Sequence, residues 1–269
     1  MEKTHRVFVS GLLPWIEPKR LLGPGAWELE SRTARAELVT HAAADLDARL
    51  HNVAIGGSAL HVVCEPPLSR PAVRAARTTD ARRRRDTTPG FTRPGVRLDG
   101  EGKVSLTPEA LALELGQGFA GRAVIDAGCG AGGNSIGFAR AGCPVVAIER
   151  NAARLDDARH NARIYGVDGR ITYLAGDAVA LAAARATPET LLFLDPPWGV
   201  EWARSGMGVS EFPLLEEVIQ AGLPAKFWRT IVKLPPSFRV NEIEGARARA
   251  VYGAAAGDAR RVKFLLLTL

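Results

Sequence analysis

Two segments constrain this chain more than any others: Asp126-Ala127-Gly128-Cys129-Gly130-Ala131-Gly132-Gly133-Asn134, and, 61 positions after its last residue, Asp195-Pro196-Pro197-Trp198-Gly199. The first follows an apolar run, Ala123-Val124-Ile125, that reads as a strand buried in a parallel sheet, and precedes residues 135–141, which read as a helix. Glycines at 128, 130, 132 and 133 let the backbone turn tightly and approach a ligand where a side chain would collide. A carboxylate at the strand tip, Asp126, would repel a pyrophosphate seated on the helix start but would welcome a cationic amine. The loop therefore favours S-adenosylmethionine over a dinucleotide, with Asp126, Gly128, Gly130 and Asn134 as candidate cofactor contacts.

Further strands end in acids as well. Residues 144–148 lead into Glu149, placed to accept hydrogen bonds from ribose hydroxyls. After a predicted helix over residues 152–165, a strand over 170–175 ends in Gly176-Asp177, where a carboxylate could accept from an adenine amino group. A fourth strand, Leu191-Leu192-Phe193-Leu194, runs directly into Asp195. Four successive strand tips bearing acids point to a shared cofactor edge.

The Asp-Pro-Pro-Trp segment suits a planar amine as methyl acceptor. The lone pair of an exocyclic base amine is delocalised into the ring, so the nitrogen needs hydrogen-bond acceptors that orient it. The Asp195 carboxylate and the Pro196 carbonyl can supply them. Pro196 and Pro197 stiffen the backbone and remove a competing donor. Trp198 offers a face for base stacking, worth about 1–3 kcal/mol per base. Asp195, Pro196, Pro197 and Trp198 are the expected catalytic set, Asp195 also bordering the cofactor.

These residues resemble the RNA cap guanine-N2 methyltransferase family. The similar stretch runs from about Arg97 to Trp202, through Arg97-Leu98-Asp99-Gly100-Glu101-Gly102, Ser105-Leu106-Thr107-Pro108-Glu109, the glycine loop, Ala158-Arg159-His160-Asn161-Ala162 with Tyr165-Gly166, and the tryptophan motif. The resemblance implies a class I, Rossmann-like methyltransferase fold with a seven-stranded sheet, S-adenosyl-L-methionine as donor, guanine N2 as acceptor, and Trp198 stacked on the base. It also places Thr107 and Pro108 over the cofactor. The chain departs from the family in having Asp195 where the family has Ser, Lys103-Val104 where it has aromatic residues, and Val200-Glu201 where it has Gly and Pro.

The net charge of +6 is unevenly distributed. Residues 70–98 carry nine arginines against Asp80 and Asp86, while 99–269 hold 19 charges of each sign. With Arg82-Arg83-Arg84-Arg85 and the breakers Pro71, Pro89, Gly90, Pro94 and Gly95, this stretch reads as an extended arm gripping RNA phosphates. Before it, residues 1–69 read as a small α/β module, with a strand near 6–9, a helix over 34–50 and a strand pair around Gly56-Gly57. Residues 99–269 form the expected methyltransferase domain, closed by strands near 229–234, 248–252 and 262–269. Lys233 reads as an RNA contact or an edge lysine, and residues 200–210 as a flexible loop over the base.

Cys64, Cys129 and Cys143 have no spacing suited to a disulfide framework or zinc, and His41, His51 and His61 fall on different predicted elements, so no metal is expected. No apolar run is long enough to span a bilayer, which favours a cytoplasmic setting. The expectation is an S-adenosylmethionine-dependent RNA methyltransferase acting on an exocyclic base nitrogen. Alternatives are an N-methyltransferase of DNA adenine, protein glutamine or a small molecule, and a non-catalytic RNA-binding protein of this fold.

Overall fold

A computed structural model describes residues 2–198 and 206–269. The chain starts with β1 (Thr4–Ser10), α1 (Pro18–Leu22), β2 (Glu28–Glu30), β3 (Thr33–Val39), α2 (Thr40–Leu50), β4 (Ala54–Ile55), β5 (Ser58–Ala59) and β6 (His61–Glu65). Strands β2-β3-β1-β6 make one antiparallel sheet, and β4 pairs with β5. Residues 34–39, predicted as the first turns of a helix, are strand: Ala34, Ala36 and Leu38 alternate with exposed neighbours, a period of two. The helix begins only at Thr40.

The arginine-rich segment is not the extended arm the sequence suggested. Residues Arg70–Arg83 form α3, fourteen residues long and packed against α2. Ser69 caps it by accepting from Ala72 N, and Pro71 sits in the first turn, where its missing N–H costs nothing. Residues 87–98 then form a strap against the second half of the chain, whose side chains stitch it down. Asp258 accepts from the N–H and hydroxyl of Thr88, both at 2.8 Å. Glu109 accepts from the N–H and hydroxyl of Thr92, at 2.8 and 2.7 Å. The fully buried Asn161 bonds both the N–H and the carbonyl of Arg97, at 2.7 and 2.8 Å.

The second sheet is built from α4 (Gly100–Ser105), α5 (Glu109–Gln117), β7 (Val124–Ala127), α6 (Gly133–Arg140), β8 (Val145–Glu149), α7 (Ala152–Ile164), β9 (Ile171–Ala175), α8 (Ala178–Ala183), β10 (Leu191–Leu194), α9 (Pro213–Gln220), β11 (Arg229–Leu234), β12 (Arg247–Tyr252) and β13 (Val262–Thr268). Its seven strands run β12-β13-β11-β10-β7-β8-β9. Six run in one direction, and β13 enters antiparallel between β11 and β12. Strand order reverses between β7 and β10, which opens a crevice at their carboxyl ends. One apolar cluster covers the α8–α9 face and continues into the N-terminal sheet, joining Val7 and Leu46 to Leu265 and Tyr252. A second, around Phe138, Phe193 and Ala158, fills the opposite face.

Two carboxyl groups lie in this framework with opposite consequences. Burial would raise the Glu109 carboxyl, but hydrogen bonds from Tyr165, Thr92 and Arg140 outweigh it and hold the group down to about 2. Glu109→Gln is expected to destabilise the protein by about 1–3 kcal/mol, the cost of partners left unsatisfied, read as a lower urea midpoint. Asp126, fully buried in β7, is pushed up to about 7 by burial, with the Ser135 hydrogen bond opposing and the Asp195 and Glu149 charges adding to the rise. Its raised folded value means that the native state keeps a proton the unfolded chain has already released. That stabilisation is complete below the ordinary value of 3.8 and is lost as pH rises towards about 7, at up to about 1.4 kcal/mol per pH unit. The stability difference between Asp126→Asn and wild type should shift in the variant's favour across that window in denaturation series; a constant difference would refute the assignment.

Candidate active site

The crevice is organised by two strand tips. At the end of β7 the chain turns through Gly128, Gly130 and Gly132, whose φ angles of 85°, 53° and 87° are left-handed. At the end of β10 it passes into Asp195-Pro196-Pro197-Trp198. A cavity of about 310 Å³ lies between them, lined by Gly128, Gly130, Asn134, Glu149, Asp177 and Asp195 among others.

Each predicted cofactor residue has a defined place. Glu149 closes the glycine loop from beneath, accepting from Gly130 N at 3.1 Å and from Asn151 N at 2.9 Å. Asp177 borders the cavity and caps α8, accepting from Ala180 N at 2.7 Å. Thr107 also lines it, whereas Pro108 lines the neighbouring cavity. Asp126 is different: it sits behind the loop, accepts from the Ser135 hydroxyl at 2.6 Å and does not reach the cavity wall. Its Oδ2 ties the loop to Ser135, and its Oδ1 is buried without a partner among the described residues.

The fit to S-adenosylmethionine rests on the donor set. Five carboxylates, from Asp99, Glu149, Asp177, Asp195 and Glu217, line the cavity against Arg150 and Arg154. That excess of acceptors suits a ligand with an ammonium, a sulfonium and ribose hydroxyls, and opposes a pyrophosphate. The Asn134 side-chain oxygen is buried without a partner among the described residues, an acceptor available to a donor. A Cβ on Gly130 would meet nothing within 4 Å, so the backbone there faces open space.

Asp195 is the node of the site. Its Oδ2 accepts from Asn134 Nδ2 at 2.8 Å, from Lys233 Nζ at 2.8 Å and from the Thr107 hydroxyl at 3.4 Å. All three donors converge on one oxygen, which leaves Oδ1 without a bond among the described residues. Lys233 is 2% exposed, also donates to the Ser105 carbonyl at 3.1 Å, and rides 4.9 Å from the Trp198 ring centroid. It is neither an edge residue nor a surface RNA contact, because β11 lies between β13 and β10 inside the sheet. A lone lysine in the apolar run Ile231-Val232-Lys233-Leu234 was the available signal, since a charge on a strand buried on both faces requires a partner.

Trp198 is half-buried and lines a second, larger cavity together with Lys233, while Ser105 and Leu106 border both cavities. Pro196 is buried and Pro197 exposed at the first cavity. Gly199, Val200, Glu201 and Trp202 lie outside the described residues, as does the first part of the predicted loop over the base; its end enters a 3₁₀ turn at Val209–Glu211. Of the four consecutive arginines, all exposed, Arg83 pairs with Asp45 and Arg84 with Asp80. Arg82 and Arg85 make no ion pair among the described residues.

Residues 121–207 match the family model described as RNA cap guanine-N2 methyltransferase. The trimethylguanosine synthase of Schizosaccharomyces pombe is 36% identical over 114 residues, covering 39% of this chain and 47% of that protein. A 23S rRNA (uracil(1939)-C(5))-methyltransferase of Azoarcus sp. is 36% identical over 89 residues, 32% of this chain and 21% of its own. The chain thus spans about half or less of the curated relatives it matches. Among solved structures, a putative methyltransferase from Porphyromonas gingivalis W83 superposes with a TM-score of 0.53 at 18% identity, covering 74% of this chain and 50% of that one. Over residues 121–207 the chain matches the RNA cap guanine-N2 methyltransferase family, and the seven-stranded sheet that carries them has the class I S-adenosylmethionine methyltransferase fold.

Proposed function

We propose that this protein is an S-adenosylmethionine-dependent RNA methyltransferase acting on an exocyclic base nitrogen, guanine N2. The observation that carries the reading is the one-sided bonding of Asp195, whose Oδ2 is held by three donors while Oδ1 is left to accept an amine N–H. S-adenosylmethionine supplies, when bound, an electrophilic methyl group on a sulfonium. Gly128, Gly130, Asn134, Glu149, Asp177 and Thr107 line its cleft, and the Pro108 and Asp126 positions support it. Asp195 Oδ1 and the Pro196 carbonyl orient the amine so that its lone pair leaves the ring plane. Trp198 fixes the base by stacking. Lys233 holds the Asp195 carboxylate in position with a charge-assisted bond. The amine loses its proton to solvent after the new N–C bond has formed.

The family match over 121–207 supports RNA and guanine, and the likeness to a uracil C5 enzyme supports RNA while naming a different acceptor atom. Addition to a pyrimidine ring requires a nucleophile, and the thiols here do not fit that task. Cys129 and Cys143 are buried, their thiols raised by burial, and burial with the Asp47 charge pushes Cys64 up to about 11. The nitrogen acceptor is therefore preferred. No described helix is long and apolar enough to cross a membrane.

The direct test is transfer of labelled methyl groups from S-adenosylmethionine to total RNA of a deletion strain, with product nucleosides identified by mass spectrometry. N2-methylguanosine is expected. Label on a ring carbon would overturn the nitrogen chemistry, and absence of label would overturn the reading. In the same assay Asp195→Asn should lower turnover by about 10²-fold or more while calorimetric cofactor affinity is retained. An amide at 195 must either turn its NH2 against Lys233 and Asn134 or present it to the substrate amine, donor against donor in both cases.

Lys233→Met should cost about 3–5 kcal/mol of stability by stranding Asp195. The double variant Lys233→Met/Asp195→Leu should recover part of that loss yet remain inactive. Equal stabilities of the single and double variants in urea titrations would show that the pair is not coupled.

A further inference from the structure

The second cavity, of about 900 Å³, lies where three parts of the chain meet: the end of α2 with β4, the strap with α4, and the tips of β11 and β13. Seven cationic side chains line it against a single carboxylate, Asp258. That carboxylate is already occupied by Thr88 and Lys263. Lys233 is balanced by Asp195, while Arg84 and Arg261 share Asp80. Lys103 and Arg260 are exposed and make no ion pair among the described residues. Its wall also carries apolar and aromatic residues, Trp198, Phe264, Phe91 and Leu106.

A cavity with this excess of positive charge calls for a polyanion, and one with aromatic side chains in its wall calls for a ring to stack. The polyanion must be single-stranded. In a duplex the guanine N2 amine lies in the minor groove with both ring faces stacked, so it cannot reach Asp195 while the base lies on Trp198. The volume, near the upper end of the roughly 300–1,000 Å³ of small-molecule sites, admits nucleotides but no duplex. Outside the cavity the charge continues. Arg70, Arg74, Arg77 and Arg85 recur on one face of α3 and its extension, lining with Arg82 a shallow groove. Arg84, their neighbour, stands at the cavity wall.

We propose that this cavity is the channel for the acceptor strand: single-stranded RNA enters along the α3 arginine face, its phosphates meet Lys103 and Arg260, and the target base is delivered to Trp198. The N-terminal module then forms one wall of the substrate site. This rests on the function proposed above, and the test separates the two. Lys103→Gln/Arg260→Gln is compared with wild type for binding of a short single-stranded oligoribonucleotide across a salt series, for methyl transfer, and for cofactor affinity. Two lost phosphate contacts should reduce the slope of log K against log salt by about 1.4 and raise the KM for RNA on the order of tenfold, with unchanged cofactor affinity. An unchanged slope and KM with transfer intact would overturn the channel and leave the function standing. Wild-type protein that binds RNA with the expected salt difference but transfers no methyl group would overturn the function and keep the channel. A polyglutamate peptide that competes as well as the oligoribonucleotide would overturn RNA as the occupant in favour of an acidic protein.

Discussion

The buried pair of Lys233 and Asp195 is the contact on which the site depends. An ammonium 2% exposed inside a seven-stranded sheet is tolerable only if its donors are used. Here β11 and β10, neighbours in the parallel sheet, bring it within 2.8 Å of the carboxylate that follows β10. The same ammonium bonds the carbonyl of Ser105 at the end of α4, and the same carboxylate is bonded by Asn134 of α6 and by Thr107. Four chain segments are thereby registered on one ion pair. The arrangement also fixes which carboxylate oxygen is taken, Oδ2 by three donors, and a solvent-exposed aspartate would have no such distinction.

Motifs far apart in the sequence hold one another in place. Asn161 and Tyr165, from the segment on α7, receive the strap at Arg97 and Thr92. Glu109, from the segment that opens α5, joins Thr92, Tyr165 and Arg140 in one network. These residues do not line the cavity between the tips of β7 and β10, yet they anchor the strap that leads into Asp99 and α4, which do. A family-like pattern here encodes scaffold as much as chemistry.

Where the sequence was legible, local and global signals agreed. Apolar runs ending in acids marked β7, β8, β9 and β10, and the glycines marked the turn after β7 because only a left-handed backbone fits there. Legibility failed where one signal masked another. In residues 34–50, Leu38, Ala42, Leu46 and Leu50 kept near-helical spacing although Ala34, Ala36 and Leu38 obey a strand period. In residues 70–98, most breakers fall after residue 88, while Ser69 and Pro71 spell a helix start; arginine density hid that cap. Lys233 was illegible for a deeper reason: its partner is 38 positions away, and only the adjacency of β10 and β11 joins them. Asp126 was read as a ligand contact from its place at a strand tip, but its side chain turns to Ser135 beneath the loop.

Ser105 and Leu106 contribute to both cavities, so in the function and channel proposed above the donor and the acceptor strand share a wall. In that proposal the small molecule and the polymer occupy different cavities, so exchange of one does not require the volume that holds the other. For the proposed acceptor, an amine with two replaceable hydrogens, such a layout would favour successive rounds on one nucleotide over release after the first.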